Sequence, residues 1–178
     1  GPQPTIISLS KSGALKNKRV LDCGCGTGEN ANAIITVGGA LSIVGFDISD
    51  AAIKIARATV PAASSATFVA CSSSDAADKL SSHTFDVALD SALLHCLNDE
   101  DAIQHIRNVR SLLSPSGKFY IGCFSDENAD PWSNPRRLSQ SHLKQLLDPQ
   151  FTISSIERKW WARPDARGSN CGSYSLAW

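Results

Sequence analysis

Val20-Leu21-Asp22-Cys23-Gly24-Cys25-Gly26-Thr27-Gly28 decides the fold of this chain, because it joins a short apolar run to a helix through a turn nearly stripped of side chains. Three glycines at alternate positions leave the backbone bare of side chains, so that a nucleotide-like ligand can approach it closely. A tight strand-to-helix turn with no ligand is the plainer reading, and the regular alternation of the glycines speaks against it. A dinucleotide fingerprint, Gly-x-Gly-x-x-Gly, fails here: counted from Gly24, its sixth position is Glu29. Asp22 stands just ahead of the turn, where its carboxylate repels a pyrophosphate and favours a ligand with a cationic end.

Outward from this turn the chain alternates strands and helices. The run 20–23 reads as a strand and 31–37 as the helix after it. A second strand is expected over 41–46, and Ser49 is placed to cap a helix over 50–59. Strands three and four fall at 67–71 and 85–89, the latter apolar enough to be buried on both faces. Ile103, Ile106, Val109, Leu112 and Leu113 share one face of a helix over 99–113. Ser114-Pro115-Ser116-Gly117 then turns the chain into a fifth strand over 118–124. Ser139 caps a helix through Leu147, and two last strands are expected near 151–156 and 172–178. This order predicts an α/β fold: a doubly wound, seven-stranded, mostly parallel sheet with helices on both faces and an antiparallel last strand. In such sheets ligands bind beyond the carboxyl ends of the strands.

The 178 residues suffice for one domain over 1–178. With 17 basic against 17 acidic residues the chain lacks the cationic surplus of a nucleic-acid binder, so no nucleic-acid partner is expected. Arg136-Arg137 and Arg158-Lys159 gather charge locally, but Glu127, Asp130 and Glu157 sit close by. No apolar run approaches the ~20 residues of a membrane span, so no membrane partner is expected either. The start at Gly1-Pro2-Gln3-Pro4 shows no signal-peptide pattern and is abrupt enough that a preceding segment is expected. Cysteines 23, 25, 71, 96, 123 and 171 form no metal-ligand spacing; they read as small buried hydrophobes in a reducing, cytoplasmic setting, with no metal site.

Asp22-x-Gly24-x-Gly26-x-Gly28, together with Asp47 at the end of Ile43-Val44-Gly45-Phe46-Asp47-Ile48-Ser49, resembles the class I, Rossmann-like S-adenosylmethionine-dependent methyltransferases. Phe85-Asp86-Val87-Ala88-Leu89-Asp90-Ser91 looks like that family's fourth-strand motif, and Leu113-Ser114-Pro115-Ser116-Gly117-Lys118 like the turn into its fifth strand. The motifs run over about 18–124. The resemblance implies S-adenosyl-L-methionine as cofactor and S-adenosyl-L-homocysteine as product. It places Asp22, Gly24, Cys25, Gly26, Gly28, Asp47, Ile48, Ser72, Ser73, Asp90 and Ser91 around that cofactor, with Asp47 accepting the ribose hydroxyls. One departure stands out. Where the family carries an acid after the third strand, this chain reads Cys71-Ser72-Ser73-Ser74-Asp75. Ser72 or Ser73 replaces the acid, or Asp75 reaches in after a longer turn.

Methyl transfer from a sulfonium requires alignment and exclusion of water, and a base only where the acceptor must lose a proton. Asp90-Ser91-Ala92-Leu93-Leu94-His95-Cys96 resembles a stretch of small-molecule methyltransferases related to the thiol and heterocycle enzymes. That likeness implies a small acceptor methylated on S, O or N, and a monomer or homodimer. His95 and Asp90 are the catalytic candidates, His95 as base because an ordinary imidazole titrates near neutrality; a histidine that simply fills the cleft wall is the plainer alternative. The stretch 123–137 is long and aromatic enough to lid the acceptor, and Arg136 or Arg137 is a candidate for an anionic acceptor. Trp160 and Trp161 are expected against the sheet edge. Two other readings remain: a non-catalytic cofactor- or partner-binding domain with this fold, and a nucleotide-dependent oxidoreductase, against which the glycine spacing counts.

Overall fold

The computed structural model describes residues 1–62, 64–128, 134–163 and 173–177. In chain order the elements are helix α1 Pro4–Lys11, strand β1 Arg19–Cys23, α2 Glu29–Thr36, β2 Ser42–Asp47, α3 Asp50–Thr59, β3 Ala66–Ala70 and the short α4 Ala76–Lys79. β4 Phe85–Ser91, α5 Asp99–Leu112, β5 Leu113–Gly122, α6 Gln140–Leu147, β6 Lys159–Arg163 and β7 Ser173–Ala177 follow. The first five strands form one parallel sheet in the order β3-β2-β1-β4-β5. The order reverses at β1, so the crevice of a doubly wound sheet opens at its carboxyl end, between the ends of β1 and β4.

Alternate strand residues point to opposite faces, and each face has its own core. Val20, Ile43, Val87 and Leu89 pack with Ile6, Leu15, Ile34 and Ile53 from α1, α2, α3 and the loop after α1. Leu21, Val44, Phe46 and Ala88 pack with Leu80, Val109 and Leu112, beside α4 and α5. The helix caps act where the sequence places them. Ser49 accepts the Ala52 N–H at 3.2 Å and Ser139 accepts the His142 N–H at 3.1 Å. Asn98 likewise accepts the Asp101 N–H at 2.9 Å and starts α5. Arg19 and Asp86 clamp the other end of the sheet: the guanidinium donates at 2.8 and 3.1 Å and holds the Asp86 carboxyl down to about 2.

Four expectations need correction. The described sheet has five strands where seven were expected, because β6 and β7 pair antiparallel with each other in a separate ribbon. The stretch 151–156 forms no strand. Its alternation comes from Phe151, Ile153 and Ile156 packing onto the core under α5 and α6, with no ladder. Trp160 is 63% exposed rather than packed on the sheet edge; the side chain of Trp161 lies outside what is described. Ser114–Gly117, expected as a turn ahead of the fifth strand, lie instead inside β5, where the register jumps: Phe85 opposes Leu113 and Val87 opposes Lys118. Helix α1 was not anticipated.

Candidate functional site

Gly24, Gly26 and Gly28 all take positive φ, +66°, +53° and +83°, which an L side chain adopts only under strain. Their surroundings differ. A Cβ on Gly28 would lie 2.9 Å from Cα of Ala56, so that glycine lets α2 and α3 meet. One on Gly24 would touch Cβ of Leu93 at 3.0 Å, whereas one on Gly26 would meet nothing within 4 Å. Gly26 therefore borders open space at the carboxyl end of β1. The Cys25 N–H donates to the Phe46 carbonyl at 2.9 Å, and the thiol turns inward over Gly45. Burial, then Asp22 and Asp47, hold that thiol protonated. Cys25 thus faces the turn's interior with its side chain and the crevice only with its backbone.

Asp47 closes the turn. Its Oδ2 accepts the Gly26 N–H and its Oδ1 the Ser49 N–H, both at 2.9 Å, so the carboxylate is fixed in orientation and keeps lone pairs for a ligand. Ile48 beside it is 79% exposed, an apolar side chain standing in solvent at the crevice rim. Asp22 is 1% exposed, and its Oδ2 meets no hydrogen-bond donor among the described residues. Burial first, then the charges of Asp90 and Asp47, push its carboxyl up to about 7. A buried, donor-less carboxylate oxygen flanked by two more acids is costly unless a cation answers it.

Asp90 is equally buried but fully engaged. Oδ1 accepts the N–H groups of Leu93 and Leu94 at 2.8 and 3.2 Å, and Oδ2 pairs with Nε2 of His105 at 3.0 Å. The far nitrogen of His105, Nδ1, shares a hydrogen with the Ser73 hydroxyl at 2.7 Å. The Asn108 amide donates to the carbonyls of Ser73 and Ser74, both at 2.9 Å. This strut ties the loop after β3 to the end of β4. His105 was missed by the sequence reading. Its signal was present: with Ala102, Ile106, Val109 and Leu112 it lies on the buried face of α5, a polar residue in an apolar stripe. Ser72 accepts the Asp75 N–H at 3.1 Å and shares a hydrogen with Ser74 at 2.7 Å, so it shapes the turn that Asp75 begins to leave. Ser91, half-buried, ends β4 opposite Gly122. Ala92 follows with φ +89°, a strained non-glycine residue at the crevice.

His95 is 2% exposed in the 3-10 turn Leu94–Cys96 and stacks on Phe124, ring centroids 4.6 Å apart. Its Nδ1 accepts the Phe124 N–H at 3.0 Å, which puts the ring proton on Nε2. Burial, and secondarily Arg136, hold its pKa down to about 4 against the pull of Asp90. Arg136 lies alongside: its backbone N–H donates to the His95 carbonyl at 3.2 Å and its Nη1 to Asp99 Oδ1 at 2.5 Å. His142 Nε2 is 3.0 Å from the same oxygen. Of the expected lid, residues 129–133 lie outside the described residues. Cys23, Cys25, Cys71, Cys96 and Cys123 are free thiols, Cys96 alone of these exposed, and Cys171 lies outside the described residues. Among the described residues no cluster could hold a metal ion, and no helix is long and apolar enough to cross a membrane.

A family described as methyltransferase domain matches residues 14–160. No curated protein matches the chain. A structure solved for the conversion of a disulfide bond into a thioacetal group during echinomycin biosynthesis superposes with a TM-score of 0.80 at 24% identity, over 99% of this chain and 80% of that one. The N-methyltransferase NodS from Bradyrhizobium japonicum WM9, in complex with S-adenosyl-L-homocysteine, gives 0.69 at 15% identity over 97% and 82%. The 1,6-didemethyltoxoflavin-N1-methyltransferase of Burkholderia thailandensis, with bound 1,6-didemethyltoxoflavin and S-adenosylhomocysteine, gives 0.67 at 20% identity over 98% and 75%. At these identities the likeness is one of fold.

Proposed function

The chain belongs to the methyltransferase-domain family, and from that premise we propose that it transfers the methyl group of S-adenosylmethionine directly to a small-molecule acceptor held beside the ends of β4 and β5. One observation carries the reading. Asp22, Asp47 and Asp90 converge at the crevice, and the buried Oδ2 of Asp22 lacks a donor among the described residues beside a glycine turn open to solvent. That cradle suits a ligand whose amino-acid end is cationic and repels the pyrophosphate of a dinucleotide. S-adenosylmethionine, when bound, supplies a methyl group activated on a positively charged sulfur.

The residues divide the work. Asp47, oriented by Gly26 and Ser49, accepts the ribose hydroxyls, and Ile48 covers one side of the base. Asp22 takes the ammonium as partner, while Gly24 and Gly26 leave room for the ligand along the turn. Ser72, Ser73 and Ser91 border the same crevice from β3 and β4. Asp90 fixes the acceptor loop through its two N–H bonds and through His105. His95 in its Nε2–H form is a donor and a wall of the acceptor site; it removes no proton. The acceptors this arrangement suits are nucleophilic without a base: thiolates, halides and heterocyclic amines. The small-molecule N-methyltransferases among the structural neighbours support an acceptor of that size.

The test is turnover. S-adenosylmethionine is incubated with the protein and with thiols, halides, phenols and heterocyclic amines in turn, and S-adenosylhomocysteine and the methylated product are followed by mass spectrometry. Methylation of a thiol, halide or amine class supports the reading. Tight binding of S-adenosylhomocysteine with no turnover on any class would move the chain to the non-catalytic alternative.

A further inference from the structure

One carboxylate serves two loops. Oδ1 of Asp90 takes the N–H groups of Leu93 and Leu94 in the loop after β4, and Oδ2 takes Nε2 of His105 on α5. Both side chains of that pair are fully enclosed. Nδ1 of His105 is bound to the Ser73 hydroxyl at 2.7 Å, in the loop after β3. Both ring nitrogens are thus engaged, and the edges of Phe46 and Phe119 confine the ring between them. The ring cannot turn without losing a buried bond at each end, and such bonds are costly to leave unmade. One turn further along α5, the Asn108 amide holds the same loop by the carbonyls of Ser73 and Ser74, both at 2.9 Å. Gln104 donates to the Asn108 amide oxygen at 2.8 Å and fixes which way that amide faces.

The two loops lie at the carboxyl ends of β3 and β4, and the sheet order puts the ends of β2 and β1 between them. A ligand seated on the glycine turn and Asp47 occupies those two middle ends, with one loop on either side. The Ser73–His105–Asp90 chain is the buried link from one side to the other. A second route to the same loop exists, because Leu93 lies against Gly24, where a Cβ would meet its own Cβ at 3.0 Å. That route does not pass through Ser73, so the two can be told apart.

We infer that His105 is a positioning residue that couples the two loops, so that a cofactor resting against the loop after β3 firms up the loop that shapes the methyl-acceptor site. Steadied by the ligand, Ser73 stays on His105, His105 stays on Asp90, and Asp90 keeps the Leu93–Leu94 turn closed. The proposal rests on the methyltransferase reading and adds an order to it: the cofactor binds first and prepares the place of the acceptor. Ordering already done by the first ligand is not charged to the second, which makes the two bind cooperatively.

The experiment is amide hydrogen exchange of the full chain, read residue by residue by NMR, with and without saturating S-adenosylhomocysteine, whose binding is first confirmed by calorimetry. Exchange at Leu93 and Leu94 requires Asp90 to release them. In the wild type the ligand is expected to slow both amides about fivefold or more, the lower end of a measurable coupling. Ser73→Ala removes the hydroxyl and is expected to abolish that slowing at ligand saturation. A merely structural loss speeds exchange with and without ligand alike and leaves their ratio unchanged, with the β1 amides as the control for global stability. Leu93 and Leu94 amides that the ligand does not slow in the wild type overturn the inference and leave the methyltransferase reading intact. Slowing that survives in Ser73→Ala overturns it too and assigns the effect to the Gly24 route. Should Ser73→Ala not fold, His105→Phe breaks the same link from its other end and is judged by the same ratio. Failure to bind S-adenosylhomocysteine instead brings down the reading on which the proposal rests.

Discussion

Gly26 and Gly28 share a residue type and a positive φ, yet they answer different demands, and two substitutions separate them. Gly26→Ala places a methyl group in open space, so its cost to the fold is left-handed strain alone, about 1–2 kcal/mol. Because that space is where the ligand lies, affinity for S-adenosylhomocysteine should fall by more than the strain accounts for. Gly28→Ala drives a methyl group against the Ala56 backbone at 2.9 Å and should cost about 2–4 kcal/mol in denaturant unfolding, without a ligand present. Equal losses of stability would contradict the distinction.

Asp22 gives a pH signature. Its carboxyl moves from the ordinary 3.8 to about 7 on folding, so the folded state binds the extra proton and its free-protein stability falls as pH rises from about 4 to about 7. His95 runs the other way. Held at about 4 against an ordinary 6.5, it contributes stability that is complete above 6.5 and lost as pH falls toward 4. Asp22→Asn removes the first effect and leaves the second. Its stability relative to the wild type should rise with pH over that window and level off above it, by a few kcal/mol, while its affinity for S-adenosylmethionine drops. A pH-independent difference in unfolding free energy would show that Asp22 is ionised in the free protein.

Among the elements, α5 carries the strut that joins the two sides of the crevice. His105→Phe keeps the packing between Phe46 and Phe119 and removes both hydrogen bonds, leaving the Asp90 carboxylate short of a buried donor. The expected loss is about 3 kcal/mol in urea unfolding; a change under half a kcal/mol would mean the pair is worth no more than an apolar contact. The sequence made the helix legible through its apolar stripe and left this role hidden, since a histidine in such a stripe reads equally as filler. Turn, cap and strand signals were legible for the same kind of reason: Ser49, Ser139 and the glycines act on their own neighbours. The stretch 151–156 misled because apolar residues spaced to meet a buried surface pack there whether or not a partner strand exists. For His95 the sequence left base and cleft wall open, and the Phe124 N–H on its Nδ1, which no local pattern announces, is what favours the second.

At the scale of the molecule, the sheet order β3-β2-β1-β4-β5 brings Asp22, Asp47 and Asp90, far apart in the chain, to adjacent strand ends. The glycine turn keeps one wall of that crevice bare. Adjacency of this kind was readable for Asp22 and Asp47 through a known motif spacing. For Arg136, Asp99 and His142, which meet from three separate segments, no local pattern announced it. The measurement closest to the centre of the account is calorimetric titration of the wild type and Asp47→Ala with S-adenosylhomocysteine, and of the wild type with NAD. The account predicts that the wild type binds S-adenosylhomocysteine and not NAD, and that Asp47→Ala loses about tenfold or more in affinity, the scale of a charge-assisted hydrogen bond. Binding of NAD alone, or of S-adenosylhomocysteine with equal strength by both proteins, would contradict it.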